Sequence, residues 1–331
     1  MWKKRLAALL ALIMMVAVAA GCGSDTAKPA QKSGELKKIR VGYAGGACEA
    51  FIFAAKEQGF FKEEGLDLEL VKVDFETLKE AMATGKIDSA SGMVMKWAKP
   101  AEQGIDISFT AGIHTGCIQT LVPVNSDIKS ITDLKGKVIG NNGMGDSPMI
   151  FTMRVLHAAG LDAKKDVQWR AYPATELEGA LERGEVAAIT LTDPMAQMIV
   201  DKGKAKKLIN TASDAPYKDE YCCLASVSGK LLKADPEAAA AVTRALMKGA
   251  AYVSTHQDEV AKMMVEKKYV PGNPDLIARL LKSYNYVPSV DGGEAAVKLG
   301  IKEMKAIGVL EAGTDEKEFS EKLFKRLPGV K

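Results

Sequence analysis

The sequence predicts an α/β protein of two lobes, each a mostly parallel β-sheet flanked by helices. From residue 38 onward, short apolar runs typical of strands alternate with amphipathic stretches typical of helices, which is the pattern of βαβ units. The same order of elements begins again after residue 125. The chain beyond residue 38 is also too long for one small domain and long enough for two.

The first 22 residues have the layout of a bacterial export signal. Lys3, Lys4 and Arg5 precede an unbroken apolar run at 6–20, and small residues then lead to Cys22. The run is short for a permanent membrane span, which needs about 20 residues, although a short N-terminal membrane anchor is the alternative. The small residues before Cys22 resemble the lipobox of bacterial lipoproteins. That resemblance implies a lipid on Cys22 and an exported chain anchored to the outer face of the cell membrane.

Residues 23–37 are predicted to form a flexible tether. They contain no aromatic residue and only one large aliphatic side chain, Leu36, so they cannot bury enough surface to fold. The formal net charge of +3 equals the contribution of the three basic residues in the signal, which leaves the rest of the chain neutral. Without a basic block, the protein is not expected to bind nucleic acid.

The first lobe is predicted to begin at residue 38 and to reach residue 120. Its periodic patterns predict strands at 38–43, 66–73, 87–91 and 107–113, and helices at 50–61, 77–83 and 94–103.

The second lobe is predicted at 121–225. Its patterns predict strands at 137–140, 167–172, 186–191 and 207–210, and helices at 147–159, 176–182 and 194–202. In both lobes a helix ends at a glycine, Gly85 or Gly184, and runs directly into a buried strand. Glycine suits the left-handed position that closes a helix, so the repeat of this junction supports two lobes of related architecture.

Only helical patterns follow residue 230. They cover 236–255, 258–268, 274–284, 294–307 and 316–324. A helical tail of this length must pack on something, so we expect 226–331 to complete the first lobe. The chain would then cross between lobes near 118–126 and near 221–229, and two extended crossings make a hinge.

Three segments resemble the substrate-binding proteins of nitrate, sulfonate and taurine ABC importers, a family that also includes thiamine-pyrimidine synthases. They are AAKEQGFFKEEGLDLEL at 54–70, ATGKID at 83–88 and ITDLKGKVIG at 131–140. The resemblance implies a periplasmic-binding-protein fold of the type II kind. It also implies capture of a small molecule by hinge closure and delivery to ABC permease subunits in the membrane. A tethered clamp of this kind works as a monomer and needs no catalytic residue, cofactor or metal.

The ligand is expected beyond the carboxyl ends of the strands, where open α/β sheets bind their ligands. The candidate ligand-binding residues lie on these loops and at the second crossing: Gly45, Cys48, Glu49, Ser91, Gly92, Met93, His114, Thr115, Cys117, Gly145, Asp146, Ser147, Thr192, Asp193, Tyr221 and Cys222. His114 is the histidine most suited to a ligand role, and a purely structural role is its alternative.

Two candidate loops open helices. Ser147-Pro148 and Asp193-Pro194 are predicted as an N-cap followed by proline at the first helical position. Free backbone N–H groups there can hold an anion or a polar ligand, and ordinary capping is the alternative.

Acidic residues predominate on the candidate loops. Glu49, Asp146 and Asp193 lie there, and no lysine or arginine was identified on them. A doubly charged anion would be costly without a cation, so this pattern favours a zwitterionic, neutral or amine-bearing ligand.

Four cysteines fall on the same predicted face: Cys48, Cys117, Cys222 and Cys223. They could pack as small apolar side chains, form a Cys48–Cys117 disulfide, or present thiolates to a soft metal or a reactive ligand.

An enzyme is the competing hypothesis. Thiamine-pyrimidine synthases use a cysteine-rich run for iron in about the place of Tyr221-Cys222-Cys223, but this chain has only two adjacent cysteines there and an export signal. The sequence contains no G-x-S-x-G, H-E-x-x-H or P-loop motif. A structural or adhesive lipoprotein is the third hypothesis.

Overall fold

Two mixed β-sheets flanked by helices make up the protein, which confirms the predicted α/β class. The structure is a computed structural model that describes residues 35–331, apart from the side chains at 75 and 76. The predicted signal at 1–22, its Cys22 and the predicted tether up to residue 34 lie outside the described residues. In the described part of the chain, no helix is both long and apolar enough to cross a membrane.

The strands of the described residues are β1 Lys37–Tyr43, β2 Leu66–Lys72, β3 Ser89–Gly92, β4 Ile107–Thr115, β5 Ile118–Pro123, β6 Val138–Asn141, β7 Gln168–Ala171, β8 Ala188–Thr192, β9 Ala205–Asn210, β10 Tyr221–Ser228 and β11 Tyr286–Ser289. The helices are α1 Ala50–Glu57, α2 Phe60–Glu63, α3 Phe75–Thr84, α4 Val94–Glu102, α5 Ser147–Ala158, α6 Leu177–Glu182, α7 Met195–Asp201, α8 Gly229–Ala234, α9 Pro236–Val253, α10 Gln257–Glu266, α11 Pro274–Ser283, α12 Val290–Ala306 and α13 Glu316–Leu323.

The first lobe is built on a six-stranded sheet of order β2-β1-β3-β10-β4-β11, and the second on a five-stranded sheet of order β7-β6-β8-β5-β9. The strands of the βαβ units pair in parallel, β1 with β2 and β3, and β6 with β7 and β8. The strands next to the crossings, β5 and β10, are inserted antiparallel to their neighbours. The sheets are therefore mixed, with the predicted parallel pairing limited to the βαβ units.

The chain changes sheets between Thr115 and Ile118 and returns between Asn210 and Tyr221. The predicted lobe limits at 120 and 225 are therefore displaced by a few residues. β5 and β10 each stay hydrogen-bonded within one sheet along their length, so the change of sheet falls at the start of each strand rather than inside it.

Three local predictions are corrected by the structure. The predicted helix at 50–61 is divided at Gly59, which has a φ of 78° and ends one helix before the next begins. Lys37, predicted as tether, already pairs with Leu66 in the first sheet. The region beyond residue 230 also contains a strand, β11, which pairs with the edge strand β4.

The C-terminal helices pack on the first sheet and on its helices. α9 lies along α1, and α12 lies on β4. The two helices pack tightly at Gly249, where a Cβ atom would lie 2.2 Å from the carbonyl oxygen of Phe51 and 2.8 Å from the Cβ of Ala55. Only a residue without a side chain lets these two helices meet, and their contact forms part of the main hydrophobic core.

Replacement of Gly249 by alanine should destabilise the protein. Helix propensity alone would favour Gly249→Ala by about 1 kcal/mol, but the added methyl group meets backbone, and overpacking costs about 1–3 kcal/mol. We expect a net loss in the free energy of unfolding, measured by urea denaturation. Gly313→Ala is the matched control, because no atom lies within 4 Å of its Cβ position. An equally stable Gly249→Ala protein would contradict this account of the α1–α9 contact.

Candidate functional site

A cavity of about 850 Å³ lies between loops of the two lobes. First-lobe residues line it through the segment after β1, the end of β3 and a segment after α10. Second-lobe residues line it through the start of α5 and the segment after β8. These are mostly the carboxyl ends of strands, where a ligand site is expected in this type of fold.

Part of the predicted ligand-binding set lines this cavity: Gly45, Cys48, Glu49, Ser91, Met93, Asp146, Ser147, Thr192 and Asp193. The remainder does not: Gly92, His114, Thr115, Cys117, Gly145, Tyr221 and Cys222. Gly92 is buried against Phe109, and Gly145 occupies a turn with a φ of 80° before α5. Tyr221 and Cys222 line a separate cavity of about 310 Å³. A ligand contact remains a prediction for the cavity-lining set.

Glu49 organises the loop that follows β1. Its carboxylate accepts hydrogen bonds from the backbone N–H groups of Gly45 at 2.7 Å, Gly46 at 2.9 Å and Ala44 at 3.0 Å. Burial and the neighbouring Cys48 side chain raise the pKa of Glu49 to about 7, although the three backbone hydrogen bonds lower it. The side chain therefore shapes the cavity wall and has much of its hydrogen-bonding capacity satisfied within its own loop.

Asp193 connects the two lobes at the cavity. Its carboxylate accepts hydrogen bonds from the side-chain amide of Gln119 at 2.7 Å and from the hydroxyl of Tyr284, in the first lobe, at 3.0 Å. Its carbonyl oxygen accepts from the N–H of Ala47, also in the first lobe, at 3.3 Å. Burial raises the pKa of Asp193 to about 7, although the bonds from Tyr284 and Gln119 lower it.

The two predicted helix starts are each displaced by one residue. The N-cap of α5 is Asp146, whose carboxylate accepts from the N–H of Ser147 at 2.7 Å, and not Ser147 itself. The N-cap of α7 is Pro194, and Asp193 precedes it. The Asp193 carboxylate nevertheless accepts a hydrogen bond from the backbone N–H of Gln197 in the first turn of α7, at 3.3 Å.

Ser147 is the polar cavity residue that the fold leaves unsatisfied. Its side chain is 1% exposed, and its hydroxyl has no hydrogen-bond partner among the described residues. It begins α5, a helix of 12 residues, where its own N–H is bonded to the Asp146 carboxylate and the next residue, Pro148, has no N–H to offer. An unpaired buried hydroxyl is costly, so Ser147 stays a predicted polar contact for a ligand.

Three lysines also line the cavity, Lys72, Lys96 and Lys268. The prediction that no cation lies in the candidate site is therefore wrong. Lys72 ends β2, so the same carboxyl-end rule places it at this edge of the sheet. Lys96 lies on a helix and Lys268 follows α10 with a φ of 59°, so only the tertiary structure brings them to the cavity.

A family model for NMT1/THI5-like proteins matches residues 49–260 of the chain. The chain belongs to this family. A Haemophilus influenzae relative, named for thiamine biosynthesis, is 25% identical over 229 residues, which cover 66% of this chain and 69% of that protein.

Two solved structures of other proteins share the fold of this chain. The alkanesulfonate-binding protein SsuA from Xanthomonas axonopodis pv. citri, bound to MOPS, superposes with a TM-score of 0.72 at 19% identity, over 89% of this chain and 100% of that chain. The periplasmic nitrate-binding protein NrtA from Synechocystis PCC 6803 gives a TM-score of 0.73 at 16% identity, over 88% and 86%. The periplasmic-binding-protein fold implied by the sequence resemblance is thereby confirmed.

The four cysteines of the described residues gather beside the cavity. All are buried and free, so the predicted alternative of a Cys48–Cys117 disulfide is not formed. The sulfur atoms of Cys117 and Cys222 are 3.0 Å apart. Cys117 has a φ of 113°, a backbone conformation that favours glycine and costs other residues about 1–3 kcal/mol.

His114 lies behind this cysteine cluster and away from the cavity surface. Its Nδ1 is 2.9 Å from the carbonyl oxygen of Thr115, and its Nε2 is 2.9 Å from that of Cys48. Two acceptors can both be satisfied only when both ring nitrogens carry protons. Burial opposes this charge, but the neighbouring Cys223 sulfur raises the pKa of His114 to about 9. The predicted ligand histidine is thus a buried partner of the cysteines.

The second cavity contains an ion pair that links elements of both lobes. Arg154 on α5 donates to the carboxylate of Glu220 at 2.7 Å and also pairs with Glu303 on α12. Its guanidinium lies 5.8 Å from the ring centre of Tyr217. The two lobes are therefore joined on this side as well as at Asp193.

The stability of the protein should decrease between about pH 4 and pH 7 because of Asp193. The pKa of the Asp193 carboxyl is about 7 in the folded chain and 3.8 in the unfolded chain. The stabilising contribution is therefore complete below the lower value and is lost as the pH rises through the higher one. The groups facing the carboxylate are Tyr284, Gln119, Gln197 and the charge of Lys207.

Urea denaturation at both pH values would measure this loss in the free energy of unfolding. The loss amounts to about 1.4 kcal/mol for each tenfold difference in proton affinity between the folded and the unfolded chain. Asp193→Asn cannot titrate at this position, so its free energy of unfolding should fall less over the same range. Equal slopes for the two proteins would contradict the assignment to Asp193.

Proposed function

We propose that this protein is the extracytoplasmic substrate-binding component of an ABC importer. It captures a small polar organic molecule or anion in the 850 Å³ cavity, closes its lobes on it, and delivers it to permease subunits in the membrane. The proposal includes an exported chain, held as a monomer to the outer face of the membrane by a lipid on Cys22. The support for that anchor is the signal-like sequence that ends at this cysteine.

The unsatisfied hydroxyl of Ser147 is the observation that carries this proposal. A cavity whose polar groups were all paired within the fold would need no ligand, whereas this one retains a buried donor at a helix start. Loops from both lobes line the same cavity. A ligand that contacts both can therefore shift the protein toward a closed state, because it gains contacts there that an open state lacks.

The ligand class follows from the charges of the lining. Lys72 and Lys268 can face an anionic group, and Asp146 can face an amine. We therefore propose a ligand with acceptor oxygens or ring nitrogens at one end and an amine or neutral body at the other. Taurine-type and other sulfonates and aminopyrimidines have both ends, and nitrate is the candidate that would use the lysine end alone. The name of the Haemophilus influenzae relative supports including the aminopyrimidines.

The first test is thermal unfolding of the chain from Gly23 onward against nitrate, alkanesulfonates, taurine, aminopyrimidines and amino acids. A ligand at 100 times its Kd stabilises a protein by about 2.7 kcal/mol, which for a chain of this size raises the Tm by several degrees. A shift with one class identifies the ligand chemistry. No shift with any class, for a folded protein, would count against binding of the substrates named here.

Ser147→Ala should weaken binding of the identified ligand by about 10- to 100-fold, the worth of a hydrogen bond to a charged group. Isothermal titration calorimetry would measure it. Unfolding stability should change little, because the hydroxyl makes no hydrogen bond within the described fold.

Ser320→Ala is the matched control. Ser320 is also a buried helical serine, but its hydroxyl donates to the carbonyl oxygen of Glu316, and it lies outside the cavity lining. This variant should lose some stability and keep its affinity. The reverse pattern in the two variants would exclude Ser147 as a ligand contact.

A further inference from the structure

We propose that Cys48, Cys117 and Cys223 form a binding site for one soft, thiophilic cation of the Cu(I) type. The site lies behind the wall of the cavity, shares Cys48 with its lining, and uses none of the groups proposed above to face the transported ligand, namely Ser147, Lys72, Lys268 and Asp146. It does not depend on the importer function.

The three sulfur atoms are already arranged around a common point. They lie within 4.8 Å of one another, and all three residues are buried. They come from distant parts of the sequence, namely the segment after β1, the first crossing and β10. A metal–thiolate bond is about 2.3 Å long, so three sulfur atoms in a plane around one ion would be about 4 Å apart. The observed set therefore needs only a small adjustment to hold an ion.

The donor set selects a soft metal. The neighbouring His114 has both ring nitrogens directed at carbonyl oxygens, and the carboxylate of Glu49 is held by backbone N–H groups. The available donors are therefore sulfur alone, which favours Cu(I) and similar ions over Mg²⁺ or Ca²⁺. Three thiols suit a three-coordinate ion better than Zn²⁺, which takes four ligands in structural sites. Cys222 is close to Cys117 but is not part of the mutual set.

The backbone at Cys117 supports a role for its side chain. With a φ of 113°, this position favours glycine, yet the chain places there the thiol that completes the trio. Strained backbone of this kind persists where the side chain serves a purpose. Cys48 also lines the 850 Å³ cavity, so an ion that enters the cavity reaches the first of the three sulfur atoms directly.

A disulfide between Cys117 and Cys222 is the competing use of these thiols, since their sulfur atoms are 3.0 Å apart. The two uses exclude each other, because both require Cys117. Their variant patterns also differ: the metal site needs Cys48 and Cys223 and not Cys222, whereas the disulfide needs Cys222 and not Cys48 or Cys223.

The test is anaerobic titration of the fully reduced chain from Gly23 onward with Cu(I), in competition with a chromogenic Cu(I) chelator. We expect one ion per chain, ultraviolet thiolate-to-copper charge-transfer absorption, and protection of three cysteines from alkylation, located by peptide mass spectrometry. The transported ligand plays no part in this measurement, so its result is independent of the proposed function.

Variants decide which thiols bind. Cys48→Ala, Cys223→Ala and Cys117→Gly should each weaken Cu(I) binding more than the roughly 10–100-fold that loss of an outer-shell partner brings. Cys117→Gly suits the backbone at this position, so its folding is not expected to be impaired, and circular dichroism checks this for every variant. Cys222→Ala is the matched control and should bind Cu(I) like the parent chain.

Three results would overturn the proposal: no Cu(I) retained against the chelator, unchanged binding in the folded Cys48→Ala or Cys223→Ala chain, or loss of binding in Cys222→Ala alone.

Discussion

The structure depends on the hydrogen bonds of one buried residue, Asp193. Its carboxylate holds Gln119 of β5 and Tyr284 of the first lobe, and its carbonyl oxygen holds the N–H of Ala47. Its own N–H donates to the carbonyl oxygen of Cys117 in the first crossing, at 3.0 Å. A buried carboxyl must keep such partners, because an unpaired polar group in the interior costs more than the bonds themselves gain. The loop after β8, the loop after β1 and the first crossing are therefore held to one geometry.

The chemical character of the cavity depends on the polar groups that have no hydrogen-bond partner within this framework. The Glu49 carboxylate accepts hydrogen bonds from its own loop, and Asp193 is hydrogen-bonded to groups of both lobes. Among the described residues that line the cavity, Ser147 has a buried hydroxyl without a hydrogen-bond partner in the fold. The proposed binding function needs this division, since the groups that shape the site must be rigid while the groups that meet the ligand must be free of internal partners. Closure around a ligand would add contacts to an interface that Asp193 and Arg154 already join.

Much of the site could be predicted because the carboxyl-end rule depends only on strand order. Once 38–43 and 186–191 were identified as strands, the loops with Glu49 and Asp193 followed, and both line the cavity. The rule could not separate residues on the cavity surface from residues behind it. His114 is predicted to follow the strand at 107–113, but it lies inside β4, which continues to Thr115 and is buried on both faces, so its side chain contacts the cysteine segment instead. Lys268 reaches the cavity only because the C-terminal helices fold back on the first lobe.

The sequence by itself determined the α/β class and the repeat of the βαβ pattern, because apolar periodicity and helix-ending glycines are local properties of the chain. It indicated the family only through the three segments that resemble it. Only the tertiary structure decided where the chain changes sheets, that β11 exists, and that Cys48, Cys117 and Cys223 meet. These features depend on contacts between residues far apart in the chain. Such contacts are set by how the two sheets and the C-terminal helices pack, and no local pattern records that packing.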